Sequence, residues 1–263
     1  MLPYNMTRQE MLLAVSGGIL ASIATCMFFI LFGKLLGKDL LIRKMLSFKY
    51  STDFAIRTTV LAGVIFSSAL VKELYHEHFI SFWPYDTRKF EQSTDIGVLV
   101  VAGLLVGFGA TLSGGCTYGH GVAGIPRLNI WSFVAVIIFS VTAYYTNEWE
   151  LINFIPKETA QHLAFSLPDN IRADFYASLS LIVPFMFFVL AKDKSLLGLF
   201  KFIVTFAIGV ISGLGMMVGG VGQRDLVLHM FKYDRNWDPT IIIFFGTTIL
   251  INFIVFTIII RKK

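Results

Sequence analysis

The chain has 263 residues, of which 56% are hydrophobic and only 15% charged, with a mean hydropathy of +0.72. A soluble domain carries roughly 25% charged residues, so this chain has too little polar material to face water on all sides. Its formal charge of +5 is spread loop by loop rather than gathered into a patch, and no nucleic-acid partner is expected.

Apolar runs long enough to cross a hydrocarbon core of about 30 Å lie at about 11–32, 56–75, 96–113, 129–147, 172–191, 199–217 and 237–260. The bilayer offers no solvent to unpaired backbone, so each is predicted as a helix although Phe, Ile and Val favour strands in water. The expected fold is an all-α integral membrane protein of about seven transmembrane helices, one domain over 1–263. Met1–Glu10 has no basic segment and no small-residue cleavage site follows the first span, so no cleavable signal peptide is expected. The first span carries Cys26 amid Ala24, Thr25, Met27 and Phe28, read as a satisfied apolar thiol. Segment 38–50 mixes apolar and basic residues and is either an interfacial helix or a plain connector. His76 and His78 form an HxH pair in the next loop, read as solvated rather than metal-binding for want of further ligands. The two cysteines, Cys26 and Cys116, sit in separate spans, which excludes a disulfide framework or a cysteine-based zinc cage.

Loops 33–57, 114–130 and 192–201 and the tail Arg261-Lys262-Lys263 hold 13 Lys/Arg against 3 Asp/Glu. The N-terminus and loops 72–95, 148–174 and 217–238 hold 9 against 14. This alternation predicts one orientation, with the N-terminus outside and the C-terminus on the cytoplasmic or matrix side. It fits a bacterial inner membrane and equally a mitochondrial inner membrane, with anionic lipid as a secondary partner of the basic loops.

Shifting the chain by 106 residues places Gly103, Gly107, Gly109 and Gly114 on Gly209, Gly213, Gly215 and Gly220, and Trp131 on Trp237. This predicts an internal repeat of units about 96–147 and 199–260. The charge pattern makes the two leading spans antiparallel, an inverted-topology repeat of the kind found in transporters, with the pathway at the repeat interface.

Each leading span ends in a glycine-dense stretch, 107–121 in the first copy and 213–225 in the second. Each glycine costs a helix interior roughly 1 kcal/mol relative to Ala, so such clusters open the helix into broken or re-entrant half-helices. Opened backbone at membrane depth needs protein or a water-filled cavity beside it. The pairs Gly103/Gly107 and Gly209/Gly213 read as close helix packing. Packing gives no reason to group Ser113, Cys116, Thr117, Tyr118 and His120 beside Gly114 and Gly115. The start of a half-helix presents unpaired N–H groups to an anion, and the polarisable Cys116 thiol suits a soft one. Ser113, Gly114, Gly115, Cys116, Thr117 and His120 are therefore candidate substrate-binding residues, facing Gly220, Gly222 and Arg224 of the second copy near the midplane. His120 either donates to the anion or caps a carbonyl. Arg224 either adds positive field at the pathway mouth or snorkels to the interface.

The stretch Gly107-x-Gly109 … Gly114-Gly115-Cys116-Thr117-x-Gly119-His120-Gly121 resembles the signature of the YeeE/YedE sulfur-transport family, a run of glycines around a GGCTSGHG core. Gly213-Leu214-Gly215 … Gly220 … Asn236-Trp237-Asp238-Pro239-Thr240 is similar to the companion half-protein's pattern ending in NWDPS. Gly17-Gly18 and Gly33-Lys34-Leu35-Leu36-Gly37 look like the family's opening segment. The resemblance spans about 11–75, 96–140 and 198–250, with both half-proteins fused in one chain. It implies an inverted-repeat permease for thiosulfate or a related sulfur anion, with cysteines lining the pathway and Cys116 matching the family cysteine. The departures are specific. Tyr118 replaces a small hydroxyl residue, which would narrow or plug the path. Gly219, Val221, Arg224 and Lys232 replace residues usually Ser, Met, Pro and Asp, and Gly222, not a cysteine, stands opposite Cys116.

The leading expectation is a carrier for a small sulfur-containing anion, without cofactor or metal. The alternative is a transporter-derived accessory subunit of a larger membrane complex, such as a respiratory-chain assembly, contacting other membrane subunits. That alternative rests on the missing second-half motif, Tyr118 and the Phe-rich exterior. An enzyme transferring sulfur at Cys116 is not expected, since His120 is the lone nearby candidate base.

Overall fold

A computed structural model describes residues 8–33, 52–76, 96–148, 178–182, 196–222, 224–231 and 237–261, all helix or short connection. The helices are α1 (Arg8–Phe32), α2 (Thr52–His76), α3 (Ile96–Ser113), α4 (Ile130–Glu148), α5 (Leu196–Val218), α6 (Arg224–Met230) and α7 (Thr240–Arg261). Between α3 and α4 run a π-helical turn, Gly119–Gly124, and a 3-10 turn, Ile125–Arg127. Among the described residues, α1, α2, α5 and α7 each contain a stretch long and apolar enough to cross a membrane. Val100–Ser113 and Ile130–Thr146 form shorter apolar helices. Six of the seven expected spans thus coincide with described helices. Of the seventh, 172–191, residues 178–182 are described and are helical. Segment 38–50, His78 and most of the loops 76–95 and 148–171 lie outside the described residues.

The helices stack in the order α2, α5, α1, α7, and small residues decide that order. The buried stripe of α1 includes Ala14, Gly17, Gly18, Ala21, Ser22, Ala24 and Thr25. A Cβ added at Gly17 would lie 2.6 Å from Gly215 O, and one at Gly215 would lie 2.7 Å from Ala21 N. The α1–α5 crossing is therefore backbone on backbone, as expected where helices associate by van der Waals packing without a hydrophobic driving force. Gly209 and Gly213 meet α2 in the same way, at Val60 and Val64. Gly103, by contrast, meets nothing within 4 Å among the described residues, and Val100–Val106 of α3 are all exposed, an apolar surface of the kind lipid covers. Further in, Phe28, Ile208, Val60 and Ala24 form a core shared by α1, α5 and α2.

Contact order along each pair gives the relative directions. Gly18, Ser22, Cys26 and Phe29 of α1 meet Phe244, Thr248, Asn252 and Phe256 of α7, so these two helices are parallel. Gly17 meets Gly215 while Phe28 meets Ile208, so α1 and α5 are antiparallel. Gly63 meets Gly209 and Val64 meets Gly213, so α2 and α5 are parallel. These directions are the ones the alternating charge of the loops implies.

α3 and α5 end alike. Gly114 and Gly220, 106 residues apart in sequence, have φ of 75° and 77°. Gly115 N donates to Ala110 O at 3.1 Å and Val221 N to Met216 O at 2.9 Å. Each is the six-to-one bond of a Schellman motif, which satisfies a terminal carbonyl and needs a left-handed residue that glycine supplies without strain. The correspondence shifts beyond the turns. Asn129 caps α4 by accepting from Trp131 N at 3.1 Å, whereas Asp238 caps α7 by accepting from Thr240 N at 2.8 Å. The second cap comes three residues later than a 106-residue shift would place it. Trp131 consequently lies inside its helix and Trp237 ahead of its own.

Candidate functional site

The break between α3 and α4 packs beside the second half of α1, at Ala21, Thr25 and Cys26. α3 stops at Ser113, whose Oγ donates to Gly115 O at 2.7 Å, and Gly114 turns the backbone. Cys116 then caps a new helical segment. Its Sγ accepts from Gly119 N at 3.4 Å, and its carbonyl accepts the first helical bond from His120 N at 3.0 Å. A thiol thus holds an N-cap position usually taken by a side-chain oxygen. Gly119, Gly121 and Gly124 widen the following turn into a π helix, a geometry found mostly as single turns at functional sites. Leu128, at φ 55°, ends the segment.

Three side chains fasten this segment to the bundle. The Tyr118 hydroxyl lies 3.1 Å from Thr25 Oγ1 and 3.5 Å from Ala21 O of α1, with Ser212 of α5 beside it. Thr25 already donates to Ala21 O at 2.9 Å, so Tyr118 is the donor to Thr25. Asn252, fully buried on α7, donates from Nδ2 to Val122 O at 2.8 Å and accepts from Cys26 Sγ at 3.2 Å. His120 turns the other way, towards α4. Its Nδ1 is 3.2 Å from Ser132 Oγ, and its buried Nε2 has no hydrogen-bond partner among the described residues. A Cβ on Gly115 would fall 2.8 Å from that Nε2, so this glycine makes room for the imidazole.

The first-copy candidates Ser113, Gly114, Gly115, Cys116, Thr117 and His120 are adjacent along one turn, with Thr117 exposed and Cys116 half-buried. The second-copy candidates are elsewhere. Gly219 packs on Gly17 and on the Phe244 ring, and Gly220 follows it. Tyr118 meets α1 at Ala21 and Thr25, one to two helical turns further along, which is about 6–12 Å at 1.5 Å per residue. Gly222 is exposed beside Met217, and Arg224 opens α6 with its side chain outside the described residues. The Tyr118 anchor of the first stretch and Gly219 of the second therefore meet α1 at different levels.

The sequence reading missed Asn252, Ser212 and Ser132 and took Cys26 as merely apolar. A signal existed for one of them. Asn252 is an amide in the middle of an otherwise hydrophobic span, and polar groups at such depth are costly enough to imply a partner.

Comparison with known proteins fits this arrangement. The family described as sulphur transport matches residues 51–145, from α2 through the break and into α4. A protein of Xylella fastidiosa named probable transporter is 30% identical over 133 residues, covering 50% of this chain and 89% of the relative. The chain belongs to the YeeE/YedE-type sulphur-transport family. A second Xylella fastidiosa strain has a probable transporter 29% identical over 137 residues, again 89% of its length. The thiosulfate transporter TsuA of Spirochaeta thermophila is 41% identical over 51 residues, which is 19% of this chain and 15% of that relative. No solved structure matches the chain. As a member of this transport family with membrane-length apolar helices, the chain is an integral membrane protein, and the accessory-subunit alternative is not favoured.

Proposed function

We propose that the chain carries a small, thiosulfate-like sulfur anion through the bilayer, without enzymatic chemistry, along a pathway passing Cys116 at the α3–α4 break. One observation carries this reading. The family's cysteine caps a helical segment that packs alongside the membrane-length helix α1, at Ala21 and Thr25, rather than beyond its end. A helix start is electropositive and offers N–H groups to an anion, and a thiol is a weak, polarisable donor suited to sulfur rather than to a hard oxyanion. Ser113, Gly114, Gly115, Thr117 and His120 complete this binding turn. Gly220, Gly222 and Arg224, at another depth, serve the mouth of the same pathway.

The two units, about 96–147 and 199–260, form an inverted repeat in this reading. Support comes from their matched Schellman turns at Gly114 and Gly220. The C-terminus faces the cytoplasm or matrix, supported by the basic loops and by helix directions that agree with the alternation. Uptake of labelled thiosulfate into proteoliposomes, wild type against Cys116→Ala, tests the assignment. The variant is expected to lose most of the uptake. Equal uptake by both would reject the role given to Cys116.

A further inference from the structure

We propose that Tyr118 is the gate of this pathway, a side chain that fills the junction between Cys116 and Cys26 and is latched shut by its hydroxyl. The proposal rests on the pathway past Cys116 proposed above, extends it towards Cys26, and adds the element that opens and closes it. Tyr118 follows Cys116 by two residues, at a position where the resembled motif carries a small hydroxyl residue. Its side chain reaches from the segment bearing Cys116 to the helix bearing Cys26, where its hydroxyl meets Thr25 and Ala21. Cys26 follows Thr25, the residue that accepts the Tyr118 hydrogen bond, and its own thiol turns to Asn252. In this proposal the passage from one thiol to the other crosses the place the tyrosine occupies.

The closure is held on α1. The hydroxyl donates to Thr25 Oγ1 and lies 3.5 Å from Ala21 O, while the buried Ser212 hydroxyl of α5 has no hydrogen-bond partner among the described residues. A small residue here would not reach α1. Glycines flank Tyr118 on both sides. Gly114 and Gly115 precede it, and a π turn with Gly119, Gly121 and Gly124 follows. A π turn can relax by shifting hydrogen bonds by one residue, which turns the side chains at its start. Conserving the ring while removing the hydroxyl should weaken the latch. Removing the ring should open the junction.

The test reads access to Cys26 in the full-length chain reconstituted in proteoliposomes, with Cys116→Ser leaving Cys26 as the sole cysteine. The probe is sulfonatoethyl methanethiosulfonate, a small anionic thiol reagent. With Tyr118 intact, Cys26 should react slowly. Tyr118→Phe should raise the rate about tenfold, the equivalent of one hydrogen bond at ~1.4 kcal/mol, and Tyr118→Ser should raise it further. Thr25→Val, which removes the acceptor from the other side, should match Tyr118→Phe and keeps the test valid if Tyr118→Ser does not fold. Cys26 rates within about twofold across all these variants would overturn the gate, because a latch worth one hydrogen bond must move them. Labelled thiosulfate uptake, measured in the same variants with Cys116 restored, separates the two ideas. Uptake with unchanged Cys26 access removes the gate and keeps the carrier. Faster Cys26 labelling without uptake in any protein supports the gate and removes thiosulfate as cargo.

Discussion

Asn252→Leu probes a side chain that ties three elements together. The substitution keeps the branched shape and heavy-atom count of the side chain, so it removes the polar contacts without opening a cavity, at the cost of somewhat bulkier methyl groups. Asn252 donates to Val122 O at 2.8 Å and accepts from the Cys26 thiol at 3.2 Å. Its loss leaves a buried carbonyl in the π turn without that donor. An unsatisfied buried acceptor costs about 1–3 kcal/mol, while interhelical hydrogen bonds in membranes average nearer 0.6 and reach about 1.7 kcal/mol. Both Asn252 and Val122 are fully buried, so the upper membrane value applies, about 1.5 kcal/mol. At roughly 2–4 °C per kcal/mol for a chain of this size, the melting temperature should fall by about 3–6 °C. Tryptophan fluorescence in detergent reads it, with four Trp as reporters. Cys26→Ala should cost less, since a thiol is a weak donor, and the two changes should be less than additive because they remove one shared contact. The reasoning is refuted if Asn252→Leu melts with the wild type, or if Cys26→Ala is the more damaging of the two.

Gly215→Val should force α1 and α5 apart, because its Cβ would sit 2.7 Å from Ala21 N and 2.9 Å from Gly17 O. A loss of about 3 kcal/mol or more is expected, seen as a collapse in monodisperse yield after detergent extraction. Gly246→Val on α7 is the control, since a Cβ there meets nothing within 4 Å. Gly114→Ala and Gly220→Ala should each cost about 1–2 kcal/mol, the penalty of holding a side chain in left-handed backbone at φ of 75° and 77°. Unequal melting shifts for this pair would show that the two turns carry different loads.

The spans and their breaks were legible because lipid makes both nearly compulsory. A run such as 237–260 has few alternatives to helix, and a cluster such as Gly219-Gly220-Val221-Gly222 cannot continue one. The alternating loop charges carried the relative directions of α1, α2, α5 and α7. Lateral order was not legible. α3 is apolar all round, so periodicity selects no face, and nothing local says that Gly103 meets open space while Gly209 meets Val60. The pairing of Cys26 with Asn252 joins residues 226 positions apart, beyond reach of any local pattern. His120 was legible as polar and intramembrane, but its turn towards Ser132 depends on where α4 begins. The tryptophan match was overread as register, since the caps at Asn129 and Asp238 fall out of step with the turns before them.

The central claim is that this chain alone moves a sulfur anion across a bilayer. Its most direct measurement is entry of radiolabelled thiosulfate into proteoliposomes containing only the purified chain. The account predicts saturable entry, suppressed by unlabelled thiosulfate and little affected by sulfate, a harder anion. Entry no faster than into protein-free liposomes, from a correctly folded and inserted chain, would contradict it.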